Sequence, residues 1–340
     1  MLQERTEELC AWLAPKVHEQ AWQEEMAWPG APSADVVSLD LAVVTSDHHP
    51  SGWDLCWVEY QTFTSIAAAI HVLALASQDI WPELCNLRQD TAAVLNPQWL
   101  SEYRKWVAPC TSSIILEHAP PQQSTYFDLA ANAHLLGVPL VEPRDLVLRP
   151  EGLYARTSQG STVSPVNHIF NRLILSDDPN ALQTQALLAH APVSWHSHPA
   201  WFYRVHKGLL AEMPLPPGQR CASAEAWRSL GHAAEQLVLK AKFSFGGKAV
   251  KLHVTSQELD ELAHPQDWMV QPRYQSASLF TASDGVPIFG EFRCIVQLCP
   301  KGHAVTLARF ARLFRGSMAS SKSWVGAPGE GLAVLYGPPD

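Results

Sequence analysis

The sequence predicts an α/β protein, and three observations carry that reading. Strand-like and helix-like segments alternate along most of the 340 residues, the pattern of helices packed on a sheet. Phe289–Leu298 alternates with period two, which places Glu291, Arg293 and Gln297 on one face and Phe292, Cys294, Val296 and Leu298 on the other. Leu237–Leu252 reads as two apolar strands joined by a tip that contains Gly246 and Gly247.

From the N-terminus, Leu2–Met26 reads as an amphipathic helix, or a helix pair broken at Pro15, and Trp28–Pro32 ends it. Val36–Thr45 is rich in valine and leucine and reads as a strand. Leu55–Tyr60 is either a second strand or the lead into a helix over Thr64–Ser77, where alanine and leucine dominate. Pro97–Ala108 is helical with its proline early, where a missing N–H costs little. Ser112–Glu117 is a strand, and Ser124–Leu136 a helix that opens on a capping residue and stops at Gly137. Val138–Val141 is a strand. Leu146–Arg149 and Leu153–Ala155 form a hairpin around Glu151-Gly152, and Pro165–Leu175 contains another strand. The polar cluster Ser176–Asn180 is a linker. Beyond it lie helices at Ala181–Ala191 and Ala200–Met213, a break at Leu215–Gly218, and a helix at Ala224–Gln236 leading into the Lys240 strand. Three units follow: an N-terminal helical segment (1–34), an α/β domain (35–178) and a C-terminal domain (179–340).

Composition narrows the function classes. A net charge of −9 argues against a nucleic-acid backbone as partner. Hydrophobic content of 47% and charged content of 17% describe a globular chain. The seven cysteines show no Cys-x2-Cys pair, so reduced thiols in a cytoplasmic protein are expected. Met1–Gln20 does not read as a signal peptide. Ile66–Ala76 is apolar but too short to span a bilayer, so no membrane role is expected.

The residues that bear chemistry lie in the C-terminal half. A glycine pair lets a ligand approach the backbone closely. Backbone N–H groups with Lys240, Lys242, Ser244 and Lys248 around Gly246-Gly247 suit a polyphosphate. Gly-x4-Gly-Lys-Ser/Thr is absent, so this is no P-loop. An ordinary hairpin with a basic edge is the alternative for the same residues. Asp267–Tyr274 is a strand that carries Gln271. Glu291 beside Arg293 offers a hard oxygen ligand for Mg²⁺ and a guanidinium fork for phosphate. The next strand, Ala304–Phe310, is followed by Arg312 and Arg315. His196 and His198 flank one serine as loop histidines or as a Zn²⁺ or Cu²⁺ pair with no visible third ligand.

In this order, the Lys207 segment, the Lys240 strand, the glycine hairpin, the Gln271 strand, the Glu291-x-Arg293 strand and the basic strand resemble the C-terminal half of an ATP-grasp enzyme. The nearest branch is the one with glutathionylspermidine-synthase-like and related bacterial proteins. The resemblance spans about residues 195–335. It extends more weakly to Leu129–Asp145 and Val166–Leu173, which look like a pre-ATP-grasp domain. It implies a pre-ATP-grasp α/β domain followed by an ATP-grasp fold, two α+β subdomains clasping a nucleotide. It also implies ATP and Mg²⁺ as cofactors, with Lys207, Lys240, Lys242, Ser244, Gly246, Gly247, Lys248 and Gln271 at the nucleotide and Glu291 on the metal. Arg293, Arg312 and Arg315 would neutralise charge during phosphoryl transfer. Asn171 and Arg172 would face the interdomain cleft and hold a substrate carboxylate, or Arg172 would form a structural ion pair. The implied activity is that of an ATP-dependent carboxylate–amine ligase with small-molecule substrates. The rival is a nucleotide-binding protein without turnover, acting as a regulatory or complex subunit. Relatives are often dimers, so a homodimer is among the expectations. One departure favours the rival: the usual carboxylate–asparagine pair on the adjoining strand is missing, and Ser317, Ser320 and Ser321 stand before the next acid, Glu330.

Overall fold

The computed structural model describes residues 2–18, 36–86, 98–156, 163–215, 217–247, 249–298, 304–316 and 327–335. In chain order, helix α1 (Leu2–His18) precedes strands β1 (Val36–Thr45) and β2 (Trp53–Gln61) and helices α2 (Ala67–Ile80) and α3 (Trp99–Val107). Strand β3 (Ser113–Leu116), helix α4 (Tyr126–Leu136) and strand β4 (Leu140–Val141) follow. A meander of β5 (Leu146–Arg149), β6 (Gly152–Arg156) and β7 (Val163–Val166) leads to β8 (His168–Asn171), α5 (Ala181–Ala189) and β9 (Ser194–His196). Helix α6 (Trp201–Arg204), strands β10 (Ala222–Ser223), β11 (Leu237–Ala241) and β12 (Val250–Lys251), and helix α7 (Ser256–Asp260) come next. The chain ends in β13 (Trp268–Pro272), β14 (Phe280–Thr281), β15 (Pro287–Leu298), β16 (Ala304–Phe314) and β17 (Gly331–Val334). The α/β reading holds: helices pack with several sheets.

The largest sheet is antiparallel, in the order β17-β16-β15-β1-β2, with β14 beside β15. Its central pair joins distant parts of the sequence: Asp40 faces Arg293 and Ala42 faces Glu291. Strands from both sides of the division expected near residue 178 therefore share one sheet. In β1, Val37, Leu39, Leu41 and Val43 form an apolar face that packs into the main core with Leu9 and Leu13 of α1. Ser38, Asp40 and Ala42 face the other way. β15 obeys the same period, so the polar faces of the two strands coincide.

A second sheet, β10-β13-β11-β12, carries the glycine hairpin. A third, β4-β3-β8-β9, is parallel, with α4 and α5 as crossovers. Asp128 of α4 accepts a hydrogen bond from the Ala69 N–H at 3.1 Å, so a carboxylate meets the free N–H groups that open α2.

Of the two forms expected at the N-terminus, α1 is the unbroken one and runs through Pro15. Two other local expectations change. The helix expected at Ala200–Met213 is only α6 and a 3₁₀ turn, Lys207–Ala211, because His206 between them is extended (φ −136°, ψ 159°). Ala224–Gln236 is two 3₁₀ turns, separated where Gly231 takes φ 69°.

Candidate functional site

A cleft of about 260 Å³ opens between the polar face of the large sheet, the glycine hairpin and the C-terminal ends of the parallel strands. Arg172, Lys240, Gly246, Gly247, Gln271, Glu291, Arg293 and Arg312 all line it. Lys207, Lys242 and Ser244 line a smaller pocket that meets the cleft at Phe245.

The large sheet contributes a buried ionic row. Arg293 grips Asp40 with two hydrogen bonds, Nε to Oδ1 at 2.7 Å and Nη2 to Oδ2 at 2.6 Å. Arg312 Nη2 reaches Asp40 Oδ2 at 2.8 Å and also donates to Glu291 Oε2. Asp40 is fully buried. Burial works to raise its carboxyl, but Arg293 and Arg312 outweigh it and hold Asp40 below the usual carboxylate range. The balance is reversed at Glu291, where burial outweighs Arg312 and the carboxyl is raised. Two guanidiniums serve Asp40 and one nitrogen serves Glu291, so Glu291 is the carboxylate left short of positive charge.

The hairpin sheet contributes the lysines. Lys240 is buried, and Nζ donates to Val58 O at 2.8 Å and to Gln271 Oε1 at 2.6 Å. Those acceptors are neutral, and burial lowers the Lys240 pKa. Gln271 Nε2 donates to Trp57 O, so both side chains bridge the two sheets. Lys207 is 1% exposed and donates to Ser244 O and Oγ at 2.7 and 2.9 Å, with Glu59 Oε2 at 3.3 Å. Gly246 and Gly247 take φ 59° and 74°, a backbone open to glycine at no steric cost.

The remaining candidates lie elsewhere. Arg315 holds Asp284 at 2.7 and 3.0 Å and Pro328 O at 3.1 Å, away from the cleft. It lies just past the end of β16, outside the strand that carries Arg312. Asn171 is fully buried and closes a turn on Leu173, so it does not reach the cleft. Lys248, Ser317, Ser320 and Ser321 lie outside the described residues. His196 and His198 are buried, and among the described residues no group of three His, Cys, Asp or Glu could hold a metal. Also among the described residues, no helix is long and apolar enough to cross a membrane.

Sequence reasoning missed Asp40, Glu59, Glu117, Asp177 and Tyr274. Asp40 carried a signal, a lone charge inside an apolar strand. Glu117 follows β3, is 7% exposed and is lifted by burial to about 7, with Arg172 opposing the rise.

The donor set fits a magnesium nucleotide. Mg²⁺ takes one or two protein carboxylates and completes its shell with phosphate and water, and Glu291 is a buried carboxylate short of compensation. Lys240 is a buried cation whose hydrogen-bond acceptors are neutral, with Glu59 and Glu291 near enough to favour its charge, and it stands beside a glycine tip where an anionic ligand would add counter-charge.

Residues 79–191 match the family model described as a circularly permuted ATPgrasp. Among solved structures the chain is similar to a glutathione synthetase-like effector from Globodera pallida in its apo form. The TM-score is 0.54 at 11% identity, covering 92% of this chain and 84% of that one. It is also similar to a "Putative gamma-glutamylcysteine synthetase" from Methylobacillus flagellatus KT, with a TM-score of 0.43 at 13% identity over 97% of this chain and 86% of the other. No curated protein sequence matches. The resemblance to the ATP-grasp superfamily therefore holds: the chain has an ATP-grasp-like fold, and its residues 79–191 match the circularly permuted form.

Proposed function

We propose that this protein is an ATP-dependent ligase that joins a carboxylate to an amine and releases ADP. The observation that carries the reading is the cleft between two sheets. One wall bears Lys240 and the Gly246-Gly247 tip, and the other bears Glu291, Arg293 and Arg312. In the reaction, an oxygen of the substrate carboxylate attacks the γ-phosphorus. The bond to the β–γ bridging oxygen breaks, ADP leaves, and an acyl phosphate forms. The amine then attacks the acyl carbon, phosphate departs with the C–O electron pair, and the nitrogen gives up a proton. Lys240 and the hairpin N–H groups hold the phosphates. Arg312 is poised to turn from Glu291 to the charge that develops on the transferred group. Glu291 would hold Mg²⁺, which when bound would supply Lewis-acid neutralisation of phosphate charge.

Measurement of ADP release across carboxylate and amine libraries tests this. One carboxylate–amine pair should give stoichiometric ADP and amide. ATP binding with no ADP from any pair would leave the second reading, nucleotide binding without turnover. That reading is favoured by the ionic row itself, in which Arg312 already engages both Asp40 and Glu291.

Two variants probe the walls separately. Valine at both Gly246 and Gly247 would be strained at positive φ and would put side chains where phosphates approach. The double variant should lose the ATP-induced rise in Tm, a stabilisation of about 3 kcal/mol at a hundredfold excess over Kd. An unchanged rise removes the hairpin from the site. Glu291→Gln is nearly isosteric and should leave metal-free nucleotide binding close to wild type. Its phosphoryl transfer should fall by at least about a hundredfold. Wild-type Mg²⁺ dependence in the variant would take Glu291 off the metal.

A further inference from the structure

The Gly246-Gly247 tip lines the cleft, but the arm that brings it there lies outside the strands. β11 ends at Ala241, and the Lys242 N–H still reaches Asp267 O at 2.9 Å. The side chains of residues 242–244 rest on a different part of the chain, residues 202–208. The stem of Lys242 packs on Gly208, where a Cβ would stand 2.8 Å from its Cγ and Cδ. The Phe243 ring lies 4.9 Å from that of His206, 5.7 Å from Tyr203 and 6.3 Å from Phe202. Ser244 accepts Lys207 Nζ on its carbonyl oxygen at 2.7 Å and on its hydroxyl at 2.9 Å, and that hydroxyl donates to Ala241 O at 3.1 Å. Consecutive residues of the arm are thus held by one segment, just before the glycine pair.

Lys207 is the polar centre of that seat, and its geometry points away from the cleft. It is 1% exposed, and its ammonium lies between Ser244 and Glu59, whose Oε2 is 3.3 Å away. Lys207 and Ser244 line the smaller pocket and not the cleft, whereas Gly246 and Gly247 line the cleft. A buried ammonium needs its acceptors in place, so it dictates where Ser244 stands. Glu59 belongs to β2, in the sheet that also bears Glu291. One side chain therefore ties the glycine tip to the carboxylate wall.

We propose that Lys207 is a positioning residue, which does not touch the nucleotide but seats Ser244 and so holds the backbone N–H groups of Gly246 and Gly247 where phosphates arrive. The inference rests on the nucleotide site of the ligase reading and adds the device that fixes one of its walls. The physical reason is preorganisation. A tip already ordered by Lys207 loses little freedom when phosphates bind, and ordering a loose tip costs affinity.

The test uses the full chain, with ATP and Mg²⁺ in calorimetry and trypsin as the probe of the nucleotide-free hairpin. Lys207→Met keeps the length of the stem and removes its donors, and Glu59 still has Lys240 and Arg312 near it. The variant should bind ATP roughly tenfold or more weakly and should be cut faster after Lys242 with no nucleotide present. Ser244→Ala should show both changes to a smaller degree. In the Lys207→Met background it should add nothing, because the two residues act through one contact. A residue that only stabilises the fold would lower Tm and leave ATP affinity unchanged. A residue that grips phosphate directly would leave cleavage after Lys242 unchanged and make the two substitutions additive. Either result overturns the proposal. If Lys207→Met fails to fold, Ser244→Ala decides by itself, and wild-type affinity or wild-type cleavage in that variant overturns the proposal. A wild type that binds no ATP removes the nucleotide reading and this inference with it. ATP binding that neither substitution alters overturns this inference alone.

Discussion

Asp40→Ala is expected to destabilise the protein by about 3–5 kcal/mol. Asp40 has no exposed surface and is the shared acceptor of Arg293 and Arg312. Its removal leaves Arg293, a buried cation, with no carboxylate partner, and leaves Arg312 with Glu291 alone. The cost is that of uncompensated buried charge, which exceeds the net worth of the ion pairs themselves. A domain has only about 5–15 kcal/mol in total, so the variant should sit near the edge of folding. Urea unfolding measures it: the midpoint should fall sharply while the slope stays constant. A wild-type midpoint would mean that the ionic row is not the anchor of the β1–β15 pairing. Glu291→Gln should be milder, since it removes a carboxylate that burial already disfavours.

Acid should unfold this protein steeply. Burial pushes His168 down to about 4, His196 to about 3, and His198 and His206 each to about 4. In the unfolded chain each histidine titrates near about 6.5. Between those values the unfolded chain binds more protons, so stability is fully present above about 6.5 and is lost as pH falls. The slope is about 1.4 kcal/mol per pH unit for each histidine. Glu117 opposes one of the four, because its folded pKa, near 7, lies above its ordinary value and favours the native state as pH falls. The net of these five groups is on the order of 4 kcal/mol per pH unit between about 6 and 5. Denaturant midpoints across that range check it, and a flat profile would refute it. His196→Phe should flatten the profile by one histidine's share, with the ring still packed edge-on near Phe170, now 4.9 Å from His196.

What the sequence determined by itself is local. Alternation over Phe289–Leu298 put Glu291 and Arg293 on one face, because side-chain direction in a strand depends only on position along it. The glycine pair between apolar runs marked the hairpin that pairs Leu239 with Lys251, because only a few residues must meet. The same reading could not find the partners of those groups. Asp40 and Arg293 stand 253 residues apart, and no local pattern encodes which strand lies beside β15. The carboxylates near Glu291 are upstream ones, Asp40 of β1 and Glu59 of β2, because the first and last described strands share a sheet. Local propensity also failed where burial competed with it. Lys207 belongs to a 3₁₀ turn, its charge met by Ser244 and Glu59, because a buried ammonium must reach its acceptors whatever helix its neighbours favour. The meeting of Glu117 and Arg172 at the cleft was decided by tertiary structure alone. Strand order put the two residues side by side, and the carbonyls of Phe63 and Thr64, more than a hundred residues upstream, turned the guanidinium.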